Sequence, residues 1–91
     1  MRRLLRHKQF KKDFAKVKIS DHHWEKLVLY LGALLEERPL PQEARDHSLS
    51  GEWSDFREFH LGGDLLVIYL LEQKSITLAR IGSHAQLFRS M

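Results

Sequence analysis

The chain predicts an α+β fold in which two N-terminal helices pack on one face of a small, mainly antiparallel sheet, with a short helical turn at the end. Three observations carry this. Apolar residues recur at helical spacing up to Leu35, Pro39 and Pro41 close that region, and short apolar runs separated by turn signals follow from Phe56 onward. Helices followed by a run of strands are the pattern of an α+β fold. The 91 residues fit one domain spanning 1–91.

Residues 2–6 read as a short first strand. Phe10, Phe14 and Val17 then fall at helical spacing with lysines between them, a short amphipathic helix over residues 8–17. In the second helix Trp24, Leu27, Val28, Leu31, Leu34 and Leu35 form one continuous stripe, with Asp21 as its N-cap. Pro39 and Pro41 end that helix, because proline cannot donate the ladder bond and restricts its predecessor. The short link Ile19-Ser20 predicts an antiparallel hairpin of helices. Residues 39–54 lack periodicity and read as a structured loop. Residues 56–61 form a strand, Gly62-Gly63 marks a hairpin turn, and the unbroken apolar run Leu65 to Leu71 is expected of a strand covered on both faces. Glu72-Gln73-Lys74 turns the chain, Ser75 to Ile81 returns as a last strand, and Ser83 caps a helical turn through Phe88. The helices cover one sheet face, and the other is left for a site or a partner.

Composition narrows the function classes. There is no cysteine, which excludes disulfides, cysteine-ligated zinc and a thiol nucleophile, and fits a cytoplasmic protein. No run of 18 apolar residues exists to span a membrane, and the Arg-rich start lacks the apolar stretch of a signal peptide. Residues 1–18 hold eight Lys/Arg against Asp13 alone, whereas the remainder holds seven against eleven Asp/Glu. Such a basic end attracts polyanions or acidic protein segments, or serves only as a solvated helix face.

Six histidines stand in the chain. His7, His22 and His23 lie among charged helical residues and read as exposed surface. His47, His60 and His84 lie in loops or at strand ends of the second half. In Phe56-Arg57-Glu58-Phe59-His60 side chains alternate, so Glu58 and His60 project from one face. A two-residue turn pairs Leu61 with Asp64, on the opposite face; a three-residue turn with Gly63 left-handed pairs His60 with Asp64. The second is expected, because it gathers Glu58, His60 and Asp64. The same patch also fits a cross-strand charge pair on a wet sheet face. If His47 and His84 converge on it, the set suits RNA cleavage. RNA carries its own nucleophile, the 2′-hydroxyl, so a base, an acid and a stabiliser of the charged phosphorane suffice. Histidine titrates near neutral pH and fills either proton role, Arg80 can hold the developing charge, and Phe88 can stack on a base. Zinc is the competing use of these side chains, but no HExxH or other tight ligand spacing occurs, and neither metal nor cofactor is expected.

Four segments resemble one known family in the same order. Arg45-Asp46-His47-Ser48-Leu49-Ser50-Gly51-Glu52-Trp53 is similar to the K-D-H-P-L-x-G-x-W segment of YafQ-type toxins, of the RelE/ParE superfamily of bacterial toxin–antitoxin systems. Phe56 to His60 resembles their aromatic-Arg-acid-x-His strand, and Asp64 with Leu65 to Tyr69 their Asp-plus-apolar strand ending in Tyr. Ile81-Gly82-Ser83-His84-Ala85-Gln86-Leu87-Phe88 resembles their G-[ST]-H-x-x-L-F ending. The resemblance is sharp over residues 45–88. It implies a RelE-like fold and a ribosome-dependent endoribonuclease that cuts mRNA in the decoding site. It also implies a cognate antitoxin that covers the toxin and represses the shared operon, so that operator DNA is met only through the antitoxin. His47, His60, Asp64 and His84 match the catalytic cluster, and Glu58 and Phe88 match supporting positions. His60 or Asp64 is expected to handle the nucleophile and His84 the leaving group. The chain departs from the family at Ser48 (usually Pro), Glu58 (commonly Asp) and Leu65 (aromatic), which bears on substrate preference.

Two other readings remain. One is a non-enzymatic toxin of the ParE branch, which acts on DNA gyrase but generally lacks this histidine set. The other is an inactive RNA- or antitoxin-binding module. The expected antitoxin arm is acidic and amphipathic, and it meets the basic first helix and the open sheet face.

Overall fold

The computed structural model describes residues 1–88. Its elements are β1 (Arg3–Arg6), α1 (Lys8–Lys16), α2 (Asp21–Leu35), β2 (His47–Ser48), β3 (Arg57–Gly62), β4 (Leu65–Leu71), β5 (Ser75–Ser83) and α3 (His84–Phe88), with 3-10 turns at Gln42–Ala44 and Gly51–Trp53. The five strands form one sheet in the order β1-β5-β4-β3-β2, antiparallel except for the parallel pair β1–β5. No helix among the described residues is long and apolar enough to cross a membrane.

Both faces of the sheet are covered, unequally. Phe10 of α1 and Leu27, Tyr30 and Leu34 of α2 pack with Phe59, Leu61, Val67, Tyr69 and Ile76 in the larger core. On the other face Leu66, Ile68 and Ala79 meet Leu87 of α3, with Leu49 and Phe56 alongside. The alternation along β4 sends Val67 and Tyr69 one way and Leu66 and Ile68 the other, and all four are fully buried, as the apolar run predicts.

Several local expectations are corrected. Ser20, not Asp21, caps α2: its hydroxyl accepts from the His23 N–H at 3.1 Å, and Asp21 is the first helical residue. The buried face of α2 is rotated from the predicted stripe, so Tyr30 is buried while Trp24 and Val28 are exposed. The loop 39–54 contains a short strand, β2, and two 3-10 turns. The β3–β4 turn is neither of the two considered. Gly62 pairs with Leu65 around Gly63-Asp64, and the register slips between His60 and Gly62, a bulge at Leu61. Gly63 supplies the positive φ of +55° that the tight turn requires. His23 is half-buried rather than exposed, and a Cβ added at Gly62 meets its Nε2 at 2.9 Å.

Two contacts fix the ends of the site face. Asp13 on α1 accepts from Arg80 Nε at 2.7 Å, Arg80 Nη2 at 3.2 Å and the Ile81 N–H at 3.1 Å, which ties α1 to β5 beyond the reach of β1. Burial alone raises the Asp13 pKa, but the bonds from Arg80, Gln9 and Ile81 outweigh it and hold the carboxyl below its ordinary value. At the other end Ser83 and Gln86 form a reciprocal cap: the Ser83 hydroxyl accepts from the Gln86 N–H at 3.1 Å, and Gln86 Oε1 accepts from the Ser83 N–H at 2.9 Å.

Candidate active site

The pleat brings the predicted residues together on the face away from α1 and α2. β2 lies beside β3 with His47 directly opposite Glu58, and His60 follows Glu58 on the same face. β5 runs past β4 and delivers His84 at the start of α3. Glu58 is the hub. Its Oε1 lies 3.5 Å from His47 Nε2, and its Oε2 lies 3.3 Å from His60 Nε2 and 3.6 Å from His84 Nε2. The imidazole centroids are 6.3 Å apart for His47–His60 and 5.7 Å for His60–His84, and Phe88 stacks on His84 at 5.7 Å.

Burial divides the cluster into a floor and a rim. Glu58 and His60 are 3% and 7% exposed, whereas the side chains of His47 and His84 are 54% and 50% exposed. Glu58 Oε2 has no aligned hydrogen bond in spite of the nearby rings, an unusual state for a buried carboxyl oxygen.

The hydrogen-bond partners assign each ring a tautomer. His47 Nδ1 is 3.0 Å from the Ser48 carbonyl and His84 Nδ1 is 3.4 Å from Asp64 Oδ1. Carbonyl and carboxylate oxygens only accept, so both Nδ1 atoms carry protons and both Nε2 atoms are the reactive nitrogens. His60 is the opposite case. Arg45 Nη2 stands 3.2 Å from its Nδ1, and a guanidinium only donates, so the proton of neutral His60 is on Nε2, facing Glu58. Burial lowers the His60 pKa, and the Arg45 guanidinium lowers it further against the opposing pull of Glu58. His60 is therefore neutral, its Nε2–H 3.3 Å from Glu58 Oε2 without an aligned hydrogen bond, rather than the cation of an ion pair. Its Nδ1 accepts from Arg45 and its protonated Nε2 faces the buried Glu58, which argues against the expectation that it takes the nucleophile's proton.

Asp64 reaches the cluster through His84 although the turn differs from expectation. Arg80, expected to hold developing charge, does not join: its guanidinium is paired with Asp13. The cation at the cluster is Arg45, which the sequence reading missed. Its φ of +47° turns it back over His60, and its place two residues before His47 was the available signal. A second omission lies beneath the loop, where Asp46 Oδ1 accepts from the Tyr69 hydroxyl at 2.6 Å and from Arg57 Nε at 3.2 Å. Burial and the Asp46 carboxylate push the Tyr69 phenol well up, so it stays a donor. Tyr69 within an otherwise apolar strand was the clue, since a buried phenol needs a partner.

One oxygen of Glu58 and one nitrogen each of His47 and His60 lie within 4.8 Å of one another, close enough to share a metal ion.

Residues 2–89 match the family model described as a bacterial toxin of type II toxin–antitoxin system, YafQ. The mRNA interferase toxin YafQ of Escherichia coli is 33% identical over 81 residues, covering 88% of each chain. The E. coli DinJ-YafQ complex contains a chain that superposes with a TM-score of 0.81 at 33% identity, over 97% of this chain and 99% of that one. A copper-bound mutant toxin from Helicobacter pylori superposes with a TM-score of 0.83 at 35% identity, over 97% of this chain and 100% of that one.

Proposed function

Because this chain belongs to the YafQ family of toxins of bacterial type II toxin–antitoxin systems, and is an endoribonuclease of the mRNA interferase kind, we propose that the rim histidines His47 and His84 cut RNA across Glu58 without a metal. The observation that carries this is the matched pair of exposed imidazoles, each with Nδ1–H tied to an acceptor and Nε2 turned toward the same buried carboxylate.

In this mechanism His47 Nε2 takes the proton of the 2′-hydroxyl as that oxygen attacks phosphorus. His84, entering as the imidazolium with its Nδ1–H on Asp64, delivers its Nε2 proton to the departing 5′-oxygen. The products are a 2′,3′-cyclic phosphate and a free 5′-hydroxyl, and the two proton transfers balance. Each is worth roughly 10²–10⁴-fold. Arg45 lies on the His60 side to meet negative charge on the phosphorane, and Phe88 offers a stacking surface next to His84. Glu58 and His60 act through the rim residues as positioning groups. The cognate antitoxin is the protein partner. The mRNA is met on the ribosome in the cytoplasm, and operator DNA is reached only through the antitoxin.

The test is to map mRNA ends after brief induction, with and without translation. Cuts within translated messages that vanish when translation is blocked, and that vanish in His84→Ala, support the reading. Intact messages with arrested growth point instead to a non-nucleolytic toxin.

A further inference from the structure

The two rim histidines are near equivalents about Glu58. His47 Nε2 stands 3.5 Å from Oε1 and His84 Nε2 stands 3.6 Å from Oε2, and the two side chains are about equally exposed. Each ring has its Nδ1–H on an oxygen that only accepts, the Ser48 carbonyl at 3.0 Å and Asp64 Oδ1 at 3.4 Å. That Nδ1–H is present in the neutral ring and in the imidazolium alike, so both contacts survive when Nε2 gains or loses a proton. Neither histidine is therefore built as a base only or as an acid only. The Glu58 carboxylate lies at nearly the same distance from either ring, whichever one carries the charge. His60 stays outside the exchange, because its Nδ1 accepts from Arg45.

Cutting RNA inverts the pair: His47 is left protonated on Nε2 and His84 is left bare. We propose that the inverted pair performs a second reaction at the same site, hydrolysis of the 2′,3′-cyclic phosphate it has just made to a 3′-phosphate. The second step rests on the ribonuclease reading above and extends it from transfer to hydrolysis. A water molecule takes the place of the departed 5′-hydroxyl. His84 Nε2 removes a proton from it as its oxygen attacks phosphorus, the bond from phosphorus to the 2′-oxygen breaks, and His47 delivers its Nε2 proton to that oxygen. One water is consumed, and a free 2′-hydroxyl and a 3′-phosphomonoester are formed. His84 ends as the imidazolium and His47 as the neutral base, so the pair is reset for another strand. The step is the first one run backwards with water in place of the 5′-alcohol, and the groups that stabilise one phosphorane stabilise the other. The exposed rim gives water a way in, which the depth of Glu58 and His60 would deny it.

The test starts from the cyclic end and so bypasses the first step. A message synthesised with a 2′,3′-cyclic phosphate at its 3′ end is seated on a ribosome with that end in the decoding site. Wild-type toxin is added in excess, in water enriched in heavy oxygen, beside the same complex without toxin. The end should become a 3′-monophosphate carrying one heavy oxygen, at least about a hundredfold faster than without toxin. His84→Ala, which lacks the base, and His47→Ala, which lacks the acid, should each slow the conversion by about 10²–10⁴-fold. A cyclic end that decays no faster with the wild type than without it overturns the proposal. So does a 2′-phosphate product, or a His84→Ala variant as fast as the wild type. The wild-type arm decides the matter whether or not the alanine variants fold. Failure here with messages still cut removes the second step and leaves the nuclease. Messages that stay uncut remove the nuclease reading, and the prepared cyclic end then decides the hydrolysis by itself.

Discussion

At the scale of single residues, neighbours set where the protons of the cluster sit. His60 has a folded pKa below its ordinary 6.5, because it is buried and faces Arg45. Unfolded, it binds a proton more readily than when folded, so the unfolded state holds more protons between the folded pKa and 6.5. Stability is unaffected by this group above that window and falls as the pH drops through it. Acid denaturation followed by urea midpoints should show a decline beginning near pH 6.5 that is flattened in His60→Gln; the same slope in both chains would contradict the assigned state. Tyr69 acts one layer further out. In Tyr69→Phe, Asp46 keeps Arg57 but loses a 2.6 Å bond, and the segment carrying Arg45 and His47 loosens. We expect a loss of about 1–3 kcal/mol in denaturant unfolding. The single-turnover cutting rate should fall more than substrate affinity does. A loss confined to affinity would place the clamp elsewhere.

At the scale of elements, the β3–β4 hairpin decides which groups meet. Gly62 sits at φ +133° against His23, whereas Gly63 sits at φ +55° with open space around a Cβ. Gly62→Ala should therefore cost about 1–3 kcal/mol, while Gly63→Asn stays within about 1 kcal/mol, since asparagine tolerates the left-handed region. Equal thermal midpoints for the two variants would contradict the bulged turn. This hairpin also marks the limit of what the sequence makes legible. Strand alternation places Glu58 beside His60 without any structure, and turn chemistry locates the bend at the two glycines. The bulge at Leu61 sets Gly62 against His23 of α2, a contact nearly forty residues apart in the chain. The rotation of α2 that buries Tyr30 and exposes Trp24 has the same origin. Helical spacing defines a stripe, but the curvature of the sheet beneath selects which side chains fill it. Arg45 and the Asp46–Tyr69 clamp escaped notice because polar side chains in an aperiodic loop declare their partners only after folding.

At the scale of the whole molecule, the two sheet faces divide the work. The helical face holds the larger core, and the thinner core under α3 leaves room for a floor of Glu58 and His60 with a rim of His47 and His84. Strands from both sides of β4 supply the rim, so the cluster exists only when the sheet has closed. The most direct test of the central claim is single-turnover cleavage of a programmed message, in chelator, by the wild type, His47→Ala, His84→Ala and the double variant. The account predicts full wild-type activity in chelator, a fall of about 10²–10⁴-fold in each single variant, and a 2′,3′-cyclic phosphate at the cut end. Loss of wild-type activity in chelator, or variants that cut as fast as the wild type, would contradict it.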